Sequence, residues 1–563
     1  MPSLLTWFFP ENGDSEATLP LLSEERAKAA VVRRALSADG ASEESAHYAA
    51  ERGSAKASDS DGDGEVGVGA SIDPAKGKQR RILGCTELVA MLFFCNGGPF
   101  GVEESVQLAG PLLAVCGAVL MPLLWALPVG LMTSELTSRY PYMGSQVVAV
   151  EKTLGPFTSF IFALFSGAAN QINMASIPPL LLSYLEPLWA TQPPSLRMAL
   201  RVALPGVLLL IMLVANYRGV RLVGRCSEIL VCVSLTTVGA FTTVAIRHLL
   251  SHGHVLEAFE WLHPTTSVRL PTLTWSTFVS LLVWNSSGFD QAASCGGEVH
   301  RPSRSFPRAM TVALLLSTCS MVIPLAASVG YFWQVRLLQG HSPWLDLHQW
   351  QPGFYSQLAH EMGGAPFAQL IGITGASLAF GQLIVLGCAY SREFAAICST
   401  STVLPSWIGA LHPQYGTPYR VIAASTLLTA VLCCINDFSK LVNAAMYFDA
   451  LALTVFLTAF LVLRLRGPTD NDDDTAPLRR STTLSTEISQ PPDNNPGSGR
   501  EPLYHVPGGL MATVPLCAAC ILPSLAMIVL ADKWCHIAAL TCFIALSVFY
   551  ICRSERQEAD MKG

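Results

Sequence analysis

Long apolar segments recur along most of the chain and alternate with short polar ones. From Ile82 onward, each of about twelve segments approaches the roughly 20 residues that an α-helix needs to cross a bilayer. We therefore predict an all-α membrane protein with twelve spans. Their expected ranges are 82–108, 110–134, 155–184, 198–216, 222–249, 273–297, 307–334, 365–391, 418–436, 440–464, 508–531 and 535–552.

Two long polar stretches interrupt this pattern. Residues 1–80 are rich in Ser, Ala, Glu, Asp and Gly, and residues 467–507 contain an Asn-Asp-Asp-Asp run and a Ser/Thr cluster. Such compositions bury too little apolar surface to offset chain entropy. We predict a disordered tail at 1–80, spans 1–10 at 81–466, a disordered loop at 467–507, spans 11–12 at 508–552 and a tail at 553–563.

The distribution of Lys and Arg predicts the orientation of the spans. With both termini cytosolic, twenty-two basic residues beyond the distal part of the tail fall on the cytosolic side and seven on the other. Basic residues accumulate in short cytosolic loops. We therefore expect cytosolic tails, a cytosolic 467–507 loop, and a multi-pass protein of the plasma membrane, with a vacuolar or endosomal membrane as the alternative.

Composition narrows the possible functions. Hydrophobic residues make up 51% of the 563 positions and charged residues only 13%, against about 25% charged in average soluble proteins. The net charge of −6 provides no basic excess for a nucleic acid. Most of the sixteen cysteines lie in or beside apolar segments, so we expect no disulfide framework. His360-Glu361 lacks the second His of a zinc-protease motif, and we expect no enzyme, metal site or cofactor.

Two spans contain residues that break helices. Span 1 carries Asn96-Gly-Gly-Pro-Phe-Gly101 and span 6 carries Asn285-Ser-Ser-Gly-Phe-Asp290. Unwound backbone inside a membrane is tolerated only where protein buries it or it lines a cavity. Each break lies in the first helix of a run of five spans, which predicts a five-plus-five inverted repeat with a binding site at the breaks. Helix kinks that serve only packing are the alternative.

Acidic and aromatic residues beside the breaks are the candidate site residues. An ionised carboxylate in the middle of a membrane helix costs about 2.5–3.5 kcal/mol, so such an acid indicates function. We expect Asp290 and Glu103 to bind a cationic group or carry the coupling proton, with helix capping as the alternative for Asp290. Aromatic side chains that could supply cation–π contacts are Phe100, Trp284, Phe289 and Tyr390.

Three further acids, Glu135, Glu228 and Glu298, lie near the predicted cytosolic boundary. Salt bridges are the expected role of acids in this position, with gating as the alternative. The candidate partners near in sequence are Arg139, Arg225 and Arg301.

Motifs in and around the breaks form a recognisable set. They are Gly97-Gly-Pro-Phe-Gly-Val-Glu-Glu-Ser105, Pro111-Leu-Leu, Asn216-Tyr-Arg-Gly219, Trp284-Asn285 with Asp290, Gly297-Glu-Val299 with Pro302-Ser303 and Phe306-Pro307, and Tyr415-Gly-Thr-Pro418. This set resembles the polyamine/proton symporters of plants and protists, in the amino acid, polyamine and organocation transporter superfamily. Over residues 82–552, the resemblance implies a twelve-helix carrier that takes up putrescine, spermidine or similar amines between helices 1, 3, 6, 8 and 10.

The breaks and the resemblance together define the expected binding site. Its members are Gly97, Gly98, Phe100, Gly101, Glu103, Asn173, Trp284, Asn285, Phe289, Asp290 and Tyr390. Two departures stand out. Plant members tend to carry an acid in the middle of span 3, where this chain has Asn170, Gln171 and Asn173, and Phe289 replaces a tryptophan.

Several alternatives remain at this point. Pro99 offers no amide to a substrate carboxylate, which favours an amine, and an amino acid permease is the alternative. No lysine lies between Lys152 and Lys440, so a carboxylate has to carry the proton; sodium held by hydroxyls such as Ser377 is the alternative. Residues 185–197 contain no cysteine, so we expect no disulfide-linked heavy chain.

Overall fold

The structure is a computed structural model that describes residues 72–73, 78–79, 81–189, 191–251, 257–262, 275–401, 403–466 and 503–562. Most of the two predicted disordered segments, 1–71 and 467–502, lies outside the described residues. Two short strands, β1 (Ile72–Asp73) and β2 (Lys78–Gln79), pair antiparallel with Ile72 opposite Gln79. The longer elements in the described ranges are all helical.

Seven helices form the first five spans, and an eighth lies between two of them. They are α1 (Cys85–Cys95) and α2 (Glu104–Ala109) in span 1; α3 (Pro111–Met121) and α4 (Leu127–Arg139), joined by a π-helical turn at Pro122–Ala126, in span 2; α5 (Ser145–Leu154) between spans; and α6 (Pro156–Leu185), α7 (Pro194–Arg218) and α8 (Val220–Ser251) as spans 3, 4 and 5. Short 3₁₀ helices follow α6 at Glu186–Trp189 and α8 at Glu257–Leu262.

The next five spans again begin with a broken helix, and two more helices follow them. They are α9 (Trp275–Trp284) with a 3₁₀ helix at Gln291–Glu298 as span 6; α10 (Pro302–Leu338); α11 (Phe354–Thr400), preceded by a 3₁₀ helix at Pro343–Gln349; α12 (Tyr419–Leu432), continued by a 3₁₀ helix at Cys433–Ile435; α13 (Phe438–Arg466); α14 (Gly509–Leu530); and α15 (Lys533–Lys562).

The prediction of an all-α fold with twelve spans is confirmed. In the described part of the chain, nine helices are long and apolar enough to cross a membrane, and three shorter apolar helices complete the set: Cys85–Cys95, Trp275–Trp284 and Tyr419–Ile435. The clearest boundary difference is in span 8. It begins at Phe354 rather than near 365, because a short helix precedes a turn at Gly364, where φ is 74°.

Both predicted breaks are present, and they touch each other. The chain leaves α1 after Cys95 and resumes helix at Glu104, with positive φ at Gly98 (66°) and Gly101 (86°). In span 6, Gly288 has φ 95°, and a Cβ built on it would lie 2.1 Å from the carbonyl oxygen of Cys95. Only glycine fits this position, because the left-handed conformation and the neighbouring backbone both exclude a side chain.

Contacts between chain segments distinguish two ends of the helical bundle. At one end, Leu83 N–H donates to Glu298 O (2.9 Å) and Tyr504 N–H donates to Ser138 Oγ (2.9 Å). We call this end the basic face, because α4 and α13 finish there at Arg139 and Arg466. The other end, the opposite face, holds the end of α6 and the starts of α2, α11 and α13.

Two ion pairs connect different helices at the basic face. Arg392 contacts Glu298 with two hydrogen bonds, Nε to Oε2 at 2.6 Å and Nη2 to Oε1 at 3.2 Å, and both side chains are at most 1% exposed. Arg464 pairs with Glu135, which also accepts a hydrogen bond from Val506 N–H. Salt bridges at Glu135 and Glu298 were expected, but these partners come from helices distant in sequence.

Candidate substrate site at the two helix breaks

The backbone of the first break is largely occupied by the chain's own side chains. Gly98 N–H donates to Asn96 Oδ1 (2.7 Å), and Gly101 N–H donates to Glu103 Oε2 (2.6 Å). Pro99 has no N–H. Gly98, Pro99 and Gly101 therefore have no free amide to offer to a carboxylate at the break.

Glu103 and Phe100 lie in an aromatic cluster towards the opposite face. Glu103 is fully buried, and Tyr184 OH donates to its Oε1 at 2.6 Å. The Phe100 ring makes edge contacts with Tyr184 (5.0 Å between centroids) and Tyr355 (5.8 Å). In this arrangement Glu103 joins the end of α6 to the first break, and its expected binding or coupling role stays a prediction.

Four of the expected site residues meet where the second break faces the first. Trp284 Nε1 donates to Asn173 Oδ1 at 2.7 Å, and its ring makes an edge contact with Phe438 (5.2 Å). A Cβ on Gly97 would lie 2.6 Å from the Trp284 ring and 2.7 Å from Asn285 Oδ1. The missing side chain at Gly97 therefore makes room for both residues of span 6.

Buried acceptor atoms without partners surround this point. Asn285 Oδ1 and Gln291 Oε1 in span 6, Asn170 Oδ1 in α6 and Glu393 Oε1 in α11 receive no hydrogen bond, although each residue is at most 5% exposed. An unsatisfied buried polar group costs about 1–3 kcal/mol, so native proteins keep few of them without a reason. All four are acceptors, and the unpartnered hydroxyls of Ser286 and Ser294 in span 6 can donate, so unpartnered acceptors outnumber unpartnered donors here.

Two acids that the sequence analysis missed lie near Asp290. Glu393 in α11 and Asp449 in α13 each interact electrostatically with the Asp290 carboxylate, and with each other. We call these three side chains the carboxylate cluster. The same rule that selected Asp290 would have selected Asp449, which lies within predicted span 10, whereas Glu393 fell just beyond the predicted end of span 8.

The remaining expected residues border the carboxylate cluster. Phe289 precedes Asp290 and is buried, and Gln146 Nε2 of α5 donates to the backbone oxygen of Asp290. The Tyr390 ring lies against α6, 3.6 Å from where a Cβ on Gly167 would be. Tyr390 is three residues before Glu393 on α11, so it stands one turn away on the same helix face.

Ser377, named as a possible sodium ligand, donates to Ile373 O in its own helix. In the described ranges, no group of three His, Cys, Asp or Glu side chains is arranged to hold a metal ion. All sixteen cysteines are described and free. The side chains at the site are carboxylates, amides, aromatic rings, the hydroxyls of Ser286 and Ser287, and the thiol of Cys95.

A twelve-span helical bundle whose two broken helices meet at a buried polar site defines a membrane transporter. Comparison with known proteins agrees. A family model described as "Amino acid permease" matches residues 86–550, so the chain belongs to this family. This match confirms the prediction of a multi-pass membrane transporter rather than an enzyme.

Several curated relatives are plant proteins. The chain is 29% identical over 407 residues to a probable polyamine transporter of Arabidopsis thaliana, a match that covers 72% of this chain and 76% of the relative. It is 28% identical to the polyamine transporter PUT1 of Oryza sativa subsp. japonica, covering 69% and 68%. It is 27% identical to the polyamine transporter RMV1 of Arabidopsis thaliana, covering 70% and 77%.

Proposed function

We propose that this transporter takes up polyamines, such as putrescine and spermidine, together with protons, by alternating access to the site at the two breaks. The observation that carries the proposal is the set of unpartnered buried acceptors beside three intramembrane carboxylates. The resemblance at the breaks and the names of the plant relatives support the same substrate class.

The chemistry of the site matches an ammonium group better than an amino acid. An alkylammonium ion has three N–H donors and no acceptor, which is what Asn285 Oδ1, Gln291 Oε1 and Glu393 Oε1 lack. The carboxylate of an amino acid needs donors instead, and the amides of Gly98 and Gly101 are already used. Binding a polyamine supplies donors to these acceptors without adding another carboxylate to the site.

Proton coupling follows from the same carboxylates. Symport requires that the proton and the amine are bound at the same time, by different groups. Carboxylates that lie close together in a low-dielectric site cannot all stay ionised, so one of them takes up a proton while another faces the substrate ammonium. Asp290, at the end of the second break, is the residue that we assign to the proton. The basic face is then cytosolic, as are both termini, and the plasma membrane is the proposed location.

The experiment that tests this function is competition between pairs of substrates that differ by one carboxylate. Radiolabelled putrescine uptake is measured in cells that express the full chain, with unlabelled putrescine, ornithine, spermidine, arginine or leucine as competitors. Losing one hydrogen bond to a charged group is worth about 1.5–3 kcal/mol, so ornithine should compete roughly tenfold to hundredfold less well than putrescine.

The same assay can overturn the proposal. If ornithine or leucine competes better than putrescine, the protein is an amino acid permease by function as well as by family. Uptake that persists after an ionophore collapses the pH gradient, and stops when sodium is replaced, would show sodium coupling instead.

A further inference from the structure

The carboxylate cluster lies one helical turn from the breaks, towards the basic face. On α6, Asn173 contacts Trp284 at the break, and Asn170, three residues nearer the basic face, donates to Glu393 Oε2 at 3.0 Å. A spacing of three residues along an α-helix is a rise of about 4.5 Å. The cluster and the breaks are therefore two neighbouring layers of the same interhelical space.

Helix α13 shows the same two layers. Ser287 Oγ in the second break lies 3.7 Å from Met446 Sδ, and Asp449 follows Met446 by three residues towards the basic face. Spans 3, 6, 8 and 10 thus contribute one residue each to the layer nearer the basic face: Asn170, Asp290, Glu393 and Asp449. The acid that the resemblance expected in span 3 is absent, and carboxylates from spans 8 and 10 approach the same place.

The cluster has more negative charge than its surroundings neutralise. In the described part of the chain, no Lys, Arg or His forms a salt bridge with any of the three carboxylates. Arg392 is adjacent to Glu393 in sequence, but it pairs with Glu298. Like charges in a low-dielectric region cannot all stay ionised without a cation beside them.

An independent observation indicates that the missing partner is a ligand. Glu393 is 2% exposed, and the side chains of Ser166 and Asn170 interact with its carboxylate. Its Oε1 nevertheless has no hydrogen-bond partner, and the same is true of Asn170 Oδ1. Both atoms accept hydrogen bonds, so the missing group is a donor. No metal-binding arrangement of three side chains occurs in the described ranges, which favours an organic cation over a metal ion.

We propose that the carboxylate cluster of Asp290, Glu393 and Asp449 is a second ammonium-binding site, which binds one amine of the substrate while the acceptors at the breaks bind another. Selectivity for polyamines over monoamines then comes from occupying both layers at once. This inference rests on the proposed function, and it adds Glu393 and Asp449 as specificity-determining residues.

The test uses Glu393→Gln and Asp449→Asn in the full chain, with the exposed residues Glu260→Gln and Asp532→Asn as matched controls away from the site. The putrescine concentration that gives half-maximal transport is measured in two assays, net uptake and exchange of internal for external putrescine. The monoamine n-butylamine serves as a competitor in both. We expect the half-saturation concentration of putrescine to rise about tenfold or more in both assays, because a charge-assisted hydrogen bond is lost. Competition by n-butylamine relative to putrescine should rise accordingly, and the controls should behave as wild type.

Each alternative result has a distinct meaning. An unchanged half-saturation concentration overturns the proposal. If transport is also normal, the carboxylates have a structural role; if net uptake falls while exchange persists, they bind protons alone. A wild-type protein that transports no amine refutes the proposed function instead. If a neutral variant does not reach the membrane, Glu393→Asp is tested instead. This change moves the carboxylate back by one methylene, so the preference should shift from putrescine to the longer diamine cadaverine. An unchanged preference would contradict the second site.

Discussion

Asp290 lies where the second break meets spans 3, 8 and 10. Its carboxylate interacts with two other acids and forms no salt bridge within the described residues, and Gln146 of α5 donates a hydrogen bond to its backbone oxygen. A helix cap alone would not require this surrounding of acids. This surrounding agrees with the proton-carrying role that we propose for Asp290.

Asp290→Asn should abolish putrescine uptake while leaving expression and folding intact, because the amide keeps the shape and capping capacity of the side chain but not its charge. Uptake and surface labelling in the same cells measure this, with exposed Asp532→Asn as the control. Near-normal transport by Asp290→Asn would return the residue to a capping role.

Gly288 is the glycine on which the contact between the two breaks depends. Gly288→Ala would place a methyl group 2.1 Å from the Cys95 carbonyl oxygen, at a φ of 95° that alanine avoids. We expect loss of transport and a lower unfolding temperature in detergent. Gly206→Ala is the matched control, because Gly206 lies within α7 with nothing near its Cβ position, and should be neutral or slightly stabilising. Equal behaviour of the two variants would show that the breaks can separate without cost.

Sequence reasoning at the residue scale succeeded where a residue type has one local consequence. The first break was predicted because its glycines and proline weaken a helix, and the second because small polar residues occupy a depth that is expected to be apolar. It could not show that Glu103 would bind Tyr184, or that Asn285 would face Gly97, since these partners are far apart in sequence and meet only when helices pack.

At the scale of elements, the ion pair between Arg392 and Glu298 joins span 8 to the 3₁₀ helix of span 6. Its two hydrogen bonds and nearly complete burial make it unlike the exposed pair of Arg201 and Glu186 on spans 3 and 4. Removing one partner of a buried pair leaves an uncompensated charge, whereas an exposed pair contributes little.

Arg392→Gln should therefore destabilise the protein by about 3–5 kcal/mol, and Arg201→Gln by about 0–1 kcal/mol. Thermal unfolding of the two purified variants in the same detergent measures the difference. Equal unfolding temperatures would mean that water reaches Glu298 and screens the pair.

The element most difficult to predict was α5, which lies between spans 2 and 3. Its ten residues are too few to cross a membrane, so the length of apolar segments does not predict it. In the structure most of its residues are buried, and Gln146 reaches the second break. Short helices of this kind become visible only when the surface that covers them is known.

At the scale of the whole molecule, topology is the property that the basic residues predict. Epitope tags inserted at residues 40 and 485 should resist protease added outside intact cells, because both segments are predicted to be cytosolic. A tag at Ser342, in the exposed loop before α11 on the opposite face, should be cleaved and serves as the control. Cleavage at 40 or 485 in intact cells would show that the protein has the opposite orientation, and the proposed direction of transport would then be reversed as well.

The sequence by itself determined the number of spans, the two broken helices and the transporter class. These follow from segment length, from glycine and proline, and from motifs, all of which are local. The tertiary structure alone decided that Glu393 and Asp449 join Asp290, and that Arg392 and Arg464 neutralise Glu298 and Glu135. The physical reason is that a membrane helix is apolar both towards lipid and towards its neighbours, so hydrophobic periodicity does not fix its rotation, and only packing brings particular side chains together.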